Sequence, residues 1–292
     1  MQRDWTAKTH ASSYDFISPL HLDLSGRHIL ITGAAYDDGV GFATATAYAR
    51  AGSSVIALVD LNGVAEGSAE KLVRAALDAG RSKPQIISAK ADISSLAEVE
   101  AALSSFAPVL ASRLDVLVNN AAHMEPFTSI LDADPKTYWR TWEVNVRGLF
   151  NVTRVFLPML LSTSGGLNTV LNVASSGALS VRKNSSGYRS SKLAVLRLTE
   201  SLAVDHGEQG LLAYAVNPGA IKTQITVNTP EEIRNRLPHT PDIAGDTIVW
   251  LTSERRDWLA GRYVSCPWDM GELLSRKEEV IQGDKLKVRM VF

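Results

Sequence analysis

Short, almost uninterrupted apolar runs alternate along this chain with longer stretches of helical character. The runs are HILITG (28–33), SVIALVD (54–60), QIISAKAD (85–92), DVLVNNAA (115–122), NTVLNVAS (168–175) and LLAYAVNPG (211–219). Segments so short, so apolar and so rich in β-branched residues predict strands buried on both faces, the condition of a parallel sheet. Between them the pattern predicts helices at 40–51, 64–80, 95–112, 135–162 and 188–207, then a helix at 241–253 and a last strand at 262–266. Strand–helix alternation of this kind predicts an α/β fold, a doubly wound and mainly parallel sheet with helices on both faces.

The 292 residues are enough for a sizeable single core, and neither a repeat nor a low-complexity linker divides them. The expected organisation is an irregular leader over 1–24, one domain over 25–266 and a C-terminal extension over 267–292, packed on the domain or on a neighbouring subunit. A net charge of −1 provides no electrostatic basis for binding nucleic acid or an acidic membrane. The opening residues hold no apolar core of signal-peptide length, and no run is long enough to span a bilayer. One cysteine, Cys266, rules out an internal disulfide and suits a reducing compartment. The expectation is a cytoplasmic protein. His123 has no second histidine at ligand spacing, so no metal is expected.

Gly33, Gly39 and Gly41 fall in the turn between the first strand and an alanine-rich helix. Glycines there let backbone approach a pyrophosphate, which the helix N-terminus meets with free N–H groups and its positive dipole end. The second strand ends in Asp60, about twenty residues on, where a carboxylate hydrogen-bonds a ribose 2′-hydroxyl and repels a 2′-phosphate. The pattern therefore favours NAD(H) and leaves NADP(H) open.

Tyr188 and Lys192 stand four residues apart, on one face of a predicted helix. An ammonium beside a phenol favours the phenolate, so the pair reads as a proton donor with its tuner, although such pairs also occur on plain helix surfaces. Ser175 ends the fifth run, where a hydroxyl faces the cleft beyond the carboxyl ends of the strands and can donate to a carbonyl oxygen. Ser176 competes with it, one residue out of register. Asn145 is a polar residue in an apolar helix and needs partners if buried.

Taken in order, these motifs resemble the short-chain dehydrogenase/reductase superfamily in its compact, single-domain Rossmann branch. They are the TG…GVG loop with Val40 between its glycines, AD at 91–92, NNAA at 119–122, Asn145, Ser175 thirteen residues before Tyr-x-x-x-Lys, and NPGAIKT at 217–223. The loop departs from the family by carrying five residues, not three, between its first two glycines. The tail is similar to that of fungal members associated with secondary metabolism. The resemblance implies that Asp92 and Ile93 contact the adenine and that Asn119 and Ala121 contact the ribose side. Pro218, Gly219, Ile221 and Thr223 would form the nicotinamide motif, and Asn145 would organise water leading to Lys192. Lys192 would also bind the nicotinamide ribose. Four of these residues have structural alternatives: Asp92 as a helix N-cap, Asn119 as a turn former, and Pro218 and Gly219 as strand terminators.

The function expected is hydride transfer between a nicotinamide cofactor and a carbonyl or secondary alcohol of a small, apolar substrate, with Tyr188 moving the proton. Residues 224–242 would cover the substrate, presenting Ile225, Val227, Ile233 and Leu237, with HMEPF (123–127) opposite. By family analogy the chain would be a homodimer or homotetramer. A redox-sensing nucleotide-binding protein without turnover, or a cofactor-assisted non-redox enzyme, would share the fold.

Overall fold

A computed structural model describes residues 4–290, so the first three residues of the expected leader and the last two of the tail lie outside it. Seven strands form the sheet: β1 His28–Thr32, β2 Val55–Asp60, β3 Gln85–Lys90, β4 Val116–Asn119, β5 Thr169–Val173, β6 Leu212–Asn217 and β7 Tyr263–Ser265. All neighbours pair in parallel, in the order β3-β2-β1-β4-β5-β6-β7. The chain winds outward from β1 in one direction and from β4 in the other. Their carboxyl ends therefore splay apart at a topological switch point, where such sheets bind ligands.

The helices are α1 Val40–Arg50, α2 Ser68–Asp78, α3 Leu96–Leu110, α4 Pro135–Trp142, α5 Leu149–Ser162, α6 Ser186–His206, α7 Glu231–Arg234, α8 Pro241–Thr252, α9 Met270–Ser275 and α10 Lys277–Gln282. Each strand from β2 to β6 except β3 is buried along its whole length, as its unbroken apolar run predicts. One apolar layer joins α1 and α8 to the sheet; another joins α3 and α5. The expected helix over 135–162 is not uniform: residues Glu143–Gly148 form a π-helical turn between α4 and α5.

The leader is more ordered than its composition suggests. It contains 3₁₀ turns at Asp15–Ile17 and Pro19–His21, and Thr9 bridges Trp268 in antiparallel fashion. Trp5 lies under the Arg276 guanidinium, 3.9 Å away, and the Glu272 carboxylate accepts from the Ala7 N–H at 2.8 Å. The tail packs back on its own domain, where the Tyr263 N–H of the edge strand β7 donates to the Leu286 carbonyl (2.9 Å).

Candidate active site

A cleft of ≈ 440 Å³ opens at the switch point. Among its lining are Gly33, Gly39, Val40, Asp60, Asp92, Ile93, Ala121, Tyr188, Lys192, Pro218 and Thr223, all singled out from the sequence. Gly33 has φ +75°, and a Cβ there would lie 2.6 Å from the Ala121 Cα. Only glycine lets the first turn and the end of β4 come this close. Gly39 begins α1 with no side-chain cap, so the helix N-terminus keeps unclaimed N–H donors at the cleft, as a phosphate requires. Gly41 is buried in the first turn of α1 and packs on the Gly33 carbonyl rather than lining the cleft.

Asp60 sits at the end of β2, buried, with Oδ2 accepting from the Ala35 N–H (3.0 Å) and Oδ1 from the Asn62 N–H (2.9 Å). Each oxygen keeps a lone pair, so the carboxylate both ties down the glycine loop and faces the cleft. Asp92 also lines the cleft, but its Oδ1 accepts from Ser94 and its Oδ2 from Arg140 (2.8 Å). Burial works to raise its pKa, yet the bonds from Ser94 and Arg140 prevail and hold the carboxyl below its ordinary range. It is not the N-cap of α3: Ser95 is, accepting from the Glu98 N–H.

The structure places the Asn119 side chain in the core. Its amide nitrogen donates to Thr153 Oγ1 (3.0 Å) and Asn172 Oδ1 (2.9 Å) inside the core, and the residue does not line the cleft. Asn120 does. Its Nδ2 holds the Thr32 and Gly33 carbonyls at 3.0 and 2.8 Å, bracing the glycine turn. Strand parity explains the miss, because successive side chains at the end of β4 face opposite sides. Tyr36 and Asn62, joined at 3.2 Å, also line the cleft and carried no sequence signal. Gly219 and Ile221 stand behind the wall. Gly219 is crowded by His239, with which buried Ile221 forms a β-bridge.

The first turns of α6 place Tyr188 and Lys192 on the same wall. Buried Lys192 donates to the Val173 carbonyl at 2.7 Å, and its Nζ lies 5.9 Å from the Tyr188 ring centre. Burial lowers the lysine pKa to about 7. The phenol goes the other way. Burial raises it, a hydrogen bond with Ser175 and the Arg189 charge oppose the rise, and the Glu125 carboxylate adds to it. Ser175 caps the following 3₁₀ turn: its Oγ accepts from the Gly177 N–H (3.0 Å), leaving its own proton free to donate. Ser176 is held through its N–H by Asn217 Oδ1.

Asn145 lies in the π-turn with its amide saturated by protein. Its Oδ1 accepts from the His123 N–H (2.8 Å), and its Nδ2 donates to the His123 carbonyl (2.9 Å) and Ser191 Oγ (3.0 Å). Both amide protons are spent on the chain, so the side chain fastens the segment after β4 to α6. Glu125, marked from sequence only as part of the HMEPF wall, is buried and accepts from the Tyr188 N–H at 2.8 Å and from Thr141 Oγ1 at 2.7 Å. It acts as an N-terminal cap for the tyrosine helix, supplied from 63 residues away. Over the cleft, a 3₁₀ turn at Gln224–Asn228 contributes Ile225 and Val227, and Asn228 reaches the Met124 carbonyl on the opposite wall. Ile233 and Leu237, expected to join them, do not line the cleft.

An uncapped helix N-terminus, an acid at the end of the next strand and a Tyr–Lys wall facing them define a dinucleotide-dependent oxidoreductase. The short chain dehydrogenase family profile matches residues 27–234. Short chain dehydrogenase citE of Monascus ruber is 41% identical over 288 residues, which cover 99% of this chain and 97% of that protein. Among solved structures, 3-ketoacyl-(acyl-carrier-protein) reductase from Brucella melitensis, complexed with NADH, superimposes with a TM-score of 0.71 at 28% identity. That match covers 83% of this chain and 97% of the reductase. Levodione reductase gives the same TM-score at 25% identity, covering 83% and 96%. The chain belongs to the short-chain dehydrogenase/reductase family and is a nicotinamide-dependent oxidoreductase.

Proposed function

We propose that Tyr188 is the proton donor and acceptor in hydride transfer between NAD(H) and the carbonyl or secondary alcohol of a small, apolar substrate. The observation that carries this is the Ser175 hydroxyl, its acceptor side occupied by Gly177, acting on the Tyr188 phenol above Lys192. In the reducing direction, Ser175 donates a hydrogen bond to the substrate oxygen and holds it at the phenol, and Tyr188 gives its proton to that oxygen. Bound nicotinamide supplies the hydride to the carbonyl carbon, and takes it back from the alcohol in the reverse direction. Lys192, fixed by the Val173 carbonyl, has N–H donors left for ribose hydroxyls. Met124, Ile225 and Val227 make the substrate end apolar.

Asp60 supports NAD(H) over NADP(H), because a 2′-phosphate would meet a buried carboxylate. A tail similar to that of fungal members associated with secondary metabolism, together with 41% identity to a fungal short chain dehydrogenase, supports a role in such metabolism. Exposed Trp139 and Phe150 on α4 and α5, with Leu193 and Val204 on α6, support assembly into a homodimer or homotetramer. A buried, unpaired Cys266 fits the cytoplasm, and no helix among the described residues is long and apolar enough to cross a membrane. The test is NADH oxidation across a carbonyl panel. Tyr188→Phe should cut turnover by at least about 100-fold while the thermal shift given by NADH persists. Near-full activity in that variant would refute the assignment.

A further inference from the structure

His123, on the segment after β4, lines the cleft together with the 3₁₀ turn at Gln224–Asn228. Its backbone is clamped on both sides by the Asn145 amide, so the ring is carried on a fixed support. The ring Nδ1 lies 3.0 Å from Thr141 Oγ1, and that oxygen lies 2.7 Å from Glu125 Oε2. A threonine hydroxyl has one proton. The Glu125 carboxylate can only accept, so Thr141 spends its proton there and meets His123 with a lone pair. Nδ1 must then carry the ring proton. Burial first, and the Arg140 charge second, outweigh the opposing Glu125 carboxylate and hold the imidazole below its ordinary pKa, which favours the neutral ring. Nε2 is left as a bare acceptor with no hydrogen-bond partner among the described residues.

We infer that His123 is a substrate-positioning residue whose Nε2 accepts a hydrogen bond from a hydroxyl on the substrate other than the one formed or consumed at the reacting carbon. The favoured substrates are hydroxylated ketones, and the corresponding diols, in preference to ketones that present only acceptors. This rests on the reaction assigned to Tyr188 and adds its selectivity. The same Glu125 that selects the tautomer through Thr141 also caps the Tyr188 helix through its other oxygen. Recognition and proton transfer are therefore braced by one buried carboxylate. A site built to bond a donor discriminates against an analogue lacking it, because its own polar group is left unpaired.

The test uses NADH-saturated protein labelled with ¹⁵N in histidine, read by long-range ¹H–¹⁵N correlation, with His123→Leu providing the assignment. The expected spectrum has a protonated Nδ1 and a bare Nε2. Ortho, meta and para hydroxyacetophenone are added in turn, each against its methoxy counterpart. At least one hydroxy isomer should shift Nε2 where its methoxy partner does not. Glu125→Gln, whose amide must donate to Thr141, should reverse the two nitrogen types. If that variant does not fold, Thr141→Val should abolish the tautomer bias instead. Where both ketones of a pair turn over, His123→Leu should lower the hydroxy-to-methoxy ratio of kcat/KM by about tenfold, through KM. A proton found on Nε2 of the wild type, or an Nε2 unmoved by all three hydroxy isomers at saturation, overturns the inference. These signals do not require turnover, so failure of the Tyr188 assignment would show separately, as activity surviving in Tyr188→Phe.

Discussion

Gly187→Ala probes how tightly the helix that carries Tyr188 is held. The residue opens α6 immediately before Tyr188, and an added Cβ would lie 2.8 Å from Glu125 Oε1 and 3.0 Å from its Cδ. The carboxylate would have to retreat by several tenths of an ångström. It is not free to do so, since Oε1 accepts from the Tyr188 N–H at 2.8 Å and Oε2 from Thr141 at 2.7 Å. Losing a hydrogen bond to a charged group costs about 1.5–3 kcal/mol. Replacing glycine in a helix returns at most about 1 kcal/mol. The net destabilisation is about 0.5–2 kcal/mol, which for a chain of this size is a fall of roughly 1–3 °C in Tm. Urea unfolding of the two single variants and the double variant Gly187→Ala/Glu125→Ala measures the coupling. With the carboxylate gone the new methyl has room, so Gly187→Ala should become neutral or stabilising in that background. Equal costs in the two backgrounds, to within about 0.5 kcal/mol, would refute the reasoning.

Three further outcomes follow from the buried charges. With Lys192 held at about pKa 7, the unfolded chain binds more protons than the folded one from pH 7 up to the ordinary lysine range. The wild type should therefore gain stability relative to Lys192→Met as pH rises through that window, by up to about 1.4 kcal/mol per pH unit; a flat difference in urea midpoints would count against it. Asp246, buried beside Ser13 and Arg50, is pushed up to about 6 by desolvation, so the folded state loses stability between about pH 4 and pH 6 as the carboxyl ionises. Asp246→Asn should be more stable than wild type at pH 7.5 by about 1–3 kcal/mol and lose that advantage near pH 4. Asp60→Ser removes the carboxylate from the ribose end, and the ratio of NADPH to NADH affinity should rise by about tenfold or more in thermal-shift titrations. No change in that ratio would separate Asp60 from cofactor choice.

The strand–helix alternation was legible because a strand buried on both faces must be apolar throughout, and that needs no knowledge of its neighbours. β1 to β7 and the turn of α6 that carries Tyr188 and Lys192 lie where the runs and the Tyr–Lys spacing put them. Gly33, Asp60, Tyr188 and Lys192 were readable for a related reason: backbone conformation, interval along the chain and position at an element's end are local properties. Parity and long-range pairing are not. Which asparagine of 119 and 120 faces the cleft depends on how the end of β4 turns against Thr32 and Gly33. Asn145 closes on the His123 backbone, and Asp92 is claimed by Arg140, 48 residues on. Glu125 carried no sequence signal beyond its place in the HMEPF wall, yet the fold buries it against Thr141 and the Tyr188 N–H, setting both the helix start and the histidine tautomer. A proton's location on a ring is decided by the partner's partner. Only the closed tertiary structure brings those three side chains within hydrogen-bond reach.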